Sequence, residues 1–330
     1  KHVPWEASRH FCGAIHEYAE SIGKENFWLL GEVTGGTQMA RNYLEIFGRN
    51  IDVVLDIGAP AARLAQMVKG LIDPSVFFDQ FRGHDVLGSH RETGRYHVSI
   101  LDDHDMVGRE KHRFAAHNDI ANRYQQVAHV VGVQLTTLGT PCIYYGTEQA
   151  FDGTVARHDP TLDSGFEDRY IREAMFGGTF GAFQTESCHF FDPQHATYLR
   201  IATIAWVRNS QNQIGLTLRR GRQYLRETSF LGRPFSIPGR GELVAWSRIL
   251  HHQEVLVALN THGTQARGAE VTVDASLHPA GSTMTFLYQS DWSDAQLRHP
   301  PQNQTAPVKS LNGRATVRVD LPPAGMVILA

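Results

Sequence analysis

Four short apolar runs alternate with helical patterns through the first part of this chain, and that rhythm limits the fold more than any other feature. Residues 6–22 place Phe11, Ile15, Tyr18, Ala19 and Ile22 at helical spacing, with Gly23 as a stop. Residues 27–33 follow as an apolar run of the kind a strand buried on both faces shows. Residues 52–57 read as a second strand, 61–72 as a helix and 97–101 as a third strand. Residues 123–138 read as a long amphipathic helix and 141–146 as a fourth strand. Alternation of this kind is the trace of an α/β fold, a parallel sheet covered by helices, because parallel strands need long crossovers.

The rhythm then breaks. Residues 151–192 are rich in Gly, Phe and charge with little periodicity, which predicts a long excursion over the strand ends. Residues 196–208 predict a helix with Leu199, Ala202, Thr203, Trp206 and Val207 on one face. From about residue 214 the period changes to two, with runs at 243–247, 255–259, 271–273 and 317–319 between Gly, Asn and Pro turns. The expected organisation is an α/β domain over 1–213 and an antiparallel β-sandwich over 214–330.

Composition narrows the function by exclusion. A net charge of -3 offers no basic excess for neutralising phosphates, so nucleic acid is not an expected partner. No apolar run is long enough to span a bilayer, so no membrane partner is expected either. The residues from Lys1 to Trp5 lack a signal-peptide core, and no compartment follows. Cys12, Cys142 and Cys188 are widely spaced and odd in number, which argues against a disulfide scaffold and for small buried hydrophobes.

Chemistry is expected at the C-terminal ends of the strands, where parallel α/β folds point their polar residues into a common mouth. Glu32 closes the first strand. Desolvation there would favour its protonated form, suiting a general acid, and a structural pairing with an Arg or a helix N-terminus is the competing reading. Asp102, Asp103, His104 and Asp105 close the third strand. They could bind a metal, form a solvated turn, or bind a polar substrate and stabilise positive charge; alternating strand directions disfavour chelation by the whole run. Glu148, after the fourth strand, reads as structural, accepting hydrogen bonds from backbone N–H groups of neighbouring loops.

These residues, in this order, are similar to a known set. Gly31-Glu32-Val33, residues 100–105 (ILDDHD) and residues 139–148 (GTPCIYYGTE) resemble the motifs after barrel strands five, seven and eight of the α-amylase superfamily. The resemblance covers essentially the whole chain, and three motifs in order are far more specific than any one. It implies the second part of a (β/α)8 TIM barrel, strands five to eight, followed by the family's C-terminal β-domain. It implies retaining hydrolysis or transfer of α-glucosidic bonds, with an α-glucan or oligosaccharide as substrate. Glu32 then matches the general acid/base, Asp105 the transition-state stabiliser and His104 a donor to sugar hydroxyls. Lys1-His2 resembles the end of the strand-four motif Gly-x-Arg-x-Asp-x-x-Lys-His, which makes Lys1 and His2 lesser substrate contacts. It also implies that the nucleophilic Asp, and the N-terminal half-barrel with it, precede Lys1.

No cofactor is implied for this chain itself; calcium is implied for the complete parent, to which His2 would contribute only its backbone carbonyl. Asp103 stands where the family commonly has Asn, Ile100 where it has Phe, and Thr34 where an aromatic often follows, departures that bear on specificity more than on reaction class. A non-catalytic carbohydrate-binding or interaction module derived from the same fold is the alternative, and a metal-dependent hydrolase built on residues 102–105 a more distant one. Four strands of an eight-stranded barrel leave open edges and an apolar face, so the isolated chain is expected to associate or dissolve poorly, while the β-domain closes its own core.

Overall fold

A computed structural model describes residues 3–44, 51–82, 94, 96–106, 112–118, 121–153, 168, 171–175 and 191–330. Four short strands, β1 (Leu30–Gly31), β2 (Val53–Leu55), β3 (His97–Ile100) and β4 (Thr140–Cys142), pair in parallel in chain order. Helices α1 (Trp5–Ser21), α2 (Thr37–Tyr43), α3 (Ala59–Val68), α4 (Pro74–Phe78) and α5 (Arg123–Thr136) accompany them, then α6 (Ala196–Asn209) and α7 (Gln213–Arg220). This is the expected half of a β/α barrel.

Among the described residues no strand pairs with the outer edge of β1 or of β4. The consequence is visible on α1. Of its expected apolar face only Ala19 is buried, while Phe11 and Tyr18 remain 60% and 64% exposed. The helix periodicity is present, but among the described residues that face has no element to pack against. What fixes α1 is polar: His16 Nε2 lies 3.0 Å from Asp52 Oδ2, which also accepts the Leu29 N–H at 2.7 Å. One carboxylate thus ties the helix to the entry of β1.

Helix α5 departs from its amphipathic reading, since every residue from Gln126 to Thr136 is buried. It lies between the parallel sheet and a second sheet, so both faces meet protein and its polar side chains have to find partners inside. Gln134 donates to the Ser99 carbonyl at 2.8 Å. His129 Nδ1 faces the Ala324 carbonyl at 2.5 Å, and its Nε2 faces the Tyr288 hydroxyl at 2.7 Å. Gly132 permits the close approach: a Cβ there would lie 2.7 Å from Met326 Sδ.

Residues 213–220, expected to open the period-two region, form α7 instead. The Asn212 side chain accepts the Gly215 N–H and starts the helix, and Leu218 is buried. Beyond it, β5 (Arg222–Leu225), β6 (Thr228–Ser229), β7 (Leu243–Leu250), β8 (Gln253–Asn260), β9 (Arg267–Thr272), β10 (Thr283–Gln289), β11 (Thr305–Leu311), β12 (Arg314–Leu321) and β13 (Met326–Leu329) form one antiparallel sheet. Its order is β5-β7-β8-β13-β10-β11-β12-β9-β6. The expected antiparallel β-domain is present, its enclosed core formed by one curled sheet.

Alternation along its central strands serves two cores. Leu243, Ala245, Leu256, Ala258, Val327 and Leu329 point into the curl against Val271, Val317 and Met284. Their neighbours Val244, Trp246, Val255, Val257, Met326 and Ile328 point outward and join the helices α3 to α7 in a second core. Trp246 is wholly buried there, 5.6 Å from the Phe78 ring, with its indole N–H on the Thr136 carbonyl at 3.4 Å. The curled sheet is the floor on which the half-barrel stands.

Candidate active site

The chain leaves each parallel strand at the same end of the sheet, and the residues just past those ends surround a cavity of about 210 Å³. Glu32 contributes from β1, Leu55 and Ile57 from β2, Ile100 and Asp102 to His104 from β3, and Cys142 to Tyr145 from β4. The volume is smaller than the roughly 300–1,000 Å³ of a complete ligand pocket, as suits a wall built from four strands. Four sequence-predicted residues, Glu32, Asp102, Asp103 and His104, border that cavity. Lys1 and His2 lie outside the described residues.

The run from Asp102 to Asp105 divides its tasks, and successive side chains turn different ways. Asp102 is buried and points back into the protein, where Oδ1 accepts the Phe114 N–H at 2.8 Å. Beneath it, burial lowers the Lys69 pKa to about 8, an effect the nearby Asp102 carboxylate opposes. Asp103 closes the turn: Oδ1 accepts the backbone N–H of Asp105 at 2.7 Å and also that of Met106. An Asn side-chain oxygen accepts in the same way, so the departure from Asn leaves this turn intact. His104 is the most open of the four, with Nε2 3.5 Å from Asp105 Oδ2. Asp105 stands beside the cavity rather than on its wall and receives Arg172 Nη2 at 2.9 Å.

Metal binding by the whole run finds no support in this geometry, since two of the carboxylates serve backbone N–H groups. No cluster of three or more His, Cys, Asp or Glu able to hold a metal occurs among the described residues. His2, whose backbone carbonyl is this chain's one expected contribution to the parent's calcium site, lies outside the described residues. Cys142 reaches the cavity wall, but burial pushes its thiol up, which leaves it protonated and weakly nucleophilic.

Glu148 sits half-buried in a single 3₁₀ turn, and the role expected of it falls to its neighbour. Gln149 is wholly buried, accepts the Asp192 N–H at 3.0 Å and donates to the Asp192 carbonyl at 3.3 Å. Gly146 makes the turn possible, with φ of 82° and the Phe151 ring in the space a Cβ would fill.

Sequence reading missed the aromatic and cationic parts of the site. Tyr144 and Tyr145 line the cavity, their rings 4.6 Å apart edge to face. The Arg113 guanidinium stacks behind them, 4.5 Å from the Tyr144 ring and 5.1 Å from that of Tyr145. Adjacent tyrosines at a strand end were a visible signal. Arg113 and Arg172, in stretches without period, gave none.

No family model matches this sequence, and no curated protein matches it. Solved structures do. The α-amylase from H. orenii is 16% identical with a TM-score of 0.61, the match covering 98% of this chain and 56% of that one. The γ-CGTase from alkalophilic Bacillus clarkii is 17% identical with a TM-score of 0.61, covering 99% of this chain and 38% of that one. AmyP, in complex with maltose, is 12% identical with a TM-score of 0.65, covering 99% of this chain and 61% of that one. At such identities the likeness is one of fold, and the chain spans less than two-thirds of each of these structures. What the half-barrel and curled sheet compose together is a part of the α-amylase-family fold.

Proposed function

We propose that this chain supplies the acid/base side of an active site that hydrolyses or transfers α-glucosidic bonds with retention. The observation that carries the proposal is the convergence of Glu32 with the turn bearing His104 and Asp105 at one end of a parallel half-barrel. The fold likeness supports it, because structures of this fold include an α-amylase complexed with acarbose and AmyP complexed with maltose. Both ligands belong to those proteins.

Retention requires two carboxyl groups about 5 to 5.5 Å apart across the scissile bond. Glu32 is assigned as the proton donor. It protonates the glycosidic oxygen as the C1–O bond breaks, while an Asp from the strand-four motif, ahead of Lys1, forms the C1–carboxylate bond. Glu32, now ionised, then takes a proton from water or from an acceptor hydroxyl, whose oxygen attacks C1 and releases the Asp. Asp105 faces the positive charge that develops at C1, and His104 donates to a sugar hydroxyl. The tyrosine pair offers flat apolar rings to a sugar face.

The coding sequence directly ahead of the Lys1 codon tests the reading at once. An in-frame Asp three residues before Lys1, with Arg two residues before that, is the expected result. Any other residue at the Asp position would leave the site without its nucleophile and favour the carbohydrate-binding reading.

A further inference from the structure

Between the strand ends and the excursion lies a device that the catalytic assignment does not use. Arg113 is 0% and Glu173 1% exposed, and Arg113 Nε lies 2.7 Å from Glu173 Oε2. Arg113 Nη1 donates to the Tyr145 carbonyl at 2.6 Å and Nη2 to the Ile171 carbonyl at 3.1 Å. Glu173 Oε1 accepts the Gly153 N–H at 2.7 Å, and the Tyr145 hydroxyl donates to the Glu173 carbonyl at 2.8 Å. Ile171 is wholly buried. The backbone on both sides of position 172 is thus held from inside, against the strand end that supplies Tyr144 and Tyr145 to the cavity.

With its two neighbours directed inward, Arg172 is directed out, across to the turn after β3. Its Nη2 donates to Asp105 Oδ1 at 2.9 Å and its Nε to the His104 carbonyl at 2.9 Å, while Asp168 Oδ2 lies 3.4 Å from Nη2. A guanidinium can hold a carboxylate and a carbonyl together in one rigid fork, which an ammonium cannot do. The contact is half open to solvent, so its worth to folding is small. A buried anchor is a large investment for so weak a stabiliser of the fold. It is well suited to fixing the direction of one carboxylate.

We propose that Arg172 is a positioning residue for Asp105, mounted on the buried Arg113–Glu173 pair, which aims the carboxylate at the charge developing on the sugar. The proposal rests on the catalytic reading above.

Its test compares Arg172→Ala, Arg172→Lys and Glu32→Gln in the protein assayed with its upstream segment on maltotriose-based substrates. Arg172→Ala is expected to lower kcat by about 10- to 100-fold, the scale set by a misdirected catalytic group, with KM little changed. Arg172→Lys, which keeps the charge and loses the fork, is expected to recover part of the loss. The unfolding midpoint should stay where it is, and backbone amides of residues 103–106 should exchange faster in Arg172→Ala. Unchanged kcat in Arg172→Ala beside a collapsed Glu32→Gln overturns the positioning role alone, as does a higher KM with kcat intact. Unchanged turnover in both variants overturns the catalytic reading and this proposal with it.

Discussion

Glu32→Gln is expected to lower kcat by about 10²- to 10⁴-fold in the protein carrying its upstream segment, the range associated with loss of a general acid. Gln keeps the shape and hydrogen-bonding capacity of Glu, and Glu32 is half-buried at the end of β1, so the fold should be retained. The loss should depend on the leaving group. A glucan needs its departing oxygen protonated, whereas a 4-nitrophenyl glycoside departs as a stable phenolate, so bond cleavage in the latter should suffer much less. Steady-state rates on the two substrates measure this difference. Equal rates for wild type and variant on the glucan would remove Glu32 from the chemistry.

A second large effect is expected in acid. His129 is wholly buried between α5 and the curled sheet, and burial lowers its pKa from 6.5 to about 3, the Ala324 carbonyl opposing that shift and the Arg200 charge adding to it. Between those values the unfolded chain binds a proton that the folded chain does not, so stability increases with pH across the window. The contribution is complete above about pH 6.5 and is lost as pH falls through 3, on the order of 5 kcal/mol in all. His97 acts in the opposite sense, its pKa raised by Asp56 against the effect of burial, and His195 in the same sense as His129. Comparison with His129→Gln therefore isolates the residue. Gln can still donate to the Ala324 carbonyl and accept from Tyr288, but does not titrate. Urea unfolding at several pH values should give a clearly flatter profile between pH 3 and 6.5 in the variant; parallel profiles would assign the acid sensitivity elsewhere.

What the sequence made legible, and what it did not, follows from the range of the interactions. The apolar runs located all four parallel strands, although residues 27–33 yielded only Leu30–Gly31 as strand, with Phe27, Trp28 and Leu30 exposed along the open edge. Helix α5 was legible in extent but not in burial. An amphipathic helix implies one solvated side, yet Gln126, His129 and Gln134 are all buried, and His129's partners lie 195 and 159 residues away. Ile214, Leu216 and Leu218 alternate in a way that also fits a strand, and the Asn212 cap decides for a helix. The motifs placed Glu32 and His104 on one cavity, since each ends a strand of the same sheet. Arg172 was illegible because it depends on an anchor spanning Arg113, Tyr145, Gly153 and Glu173, four positions with no common period.

The central claim is that Glu32, His104 and Asp105 belong to a retaining α-glucosidic site. The most direct measurement is proton NMR of the first product released from a maltooligosaccharide by the chain with its upstream segment, recorded before mutarotation. The account predicts that the new reducing end appears as the α-anomer. A β-anomer would mean single displacement by water, which requires carboxyl groups about 6.5 to 9.5 Å apart and contradicts the roles assigned here.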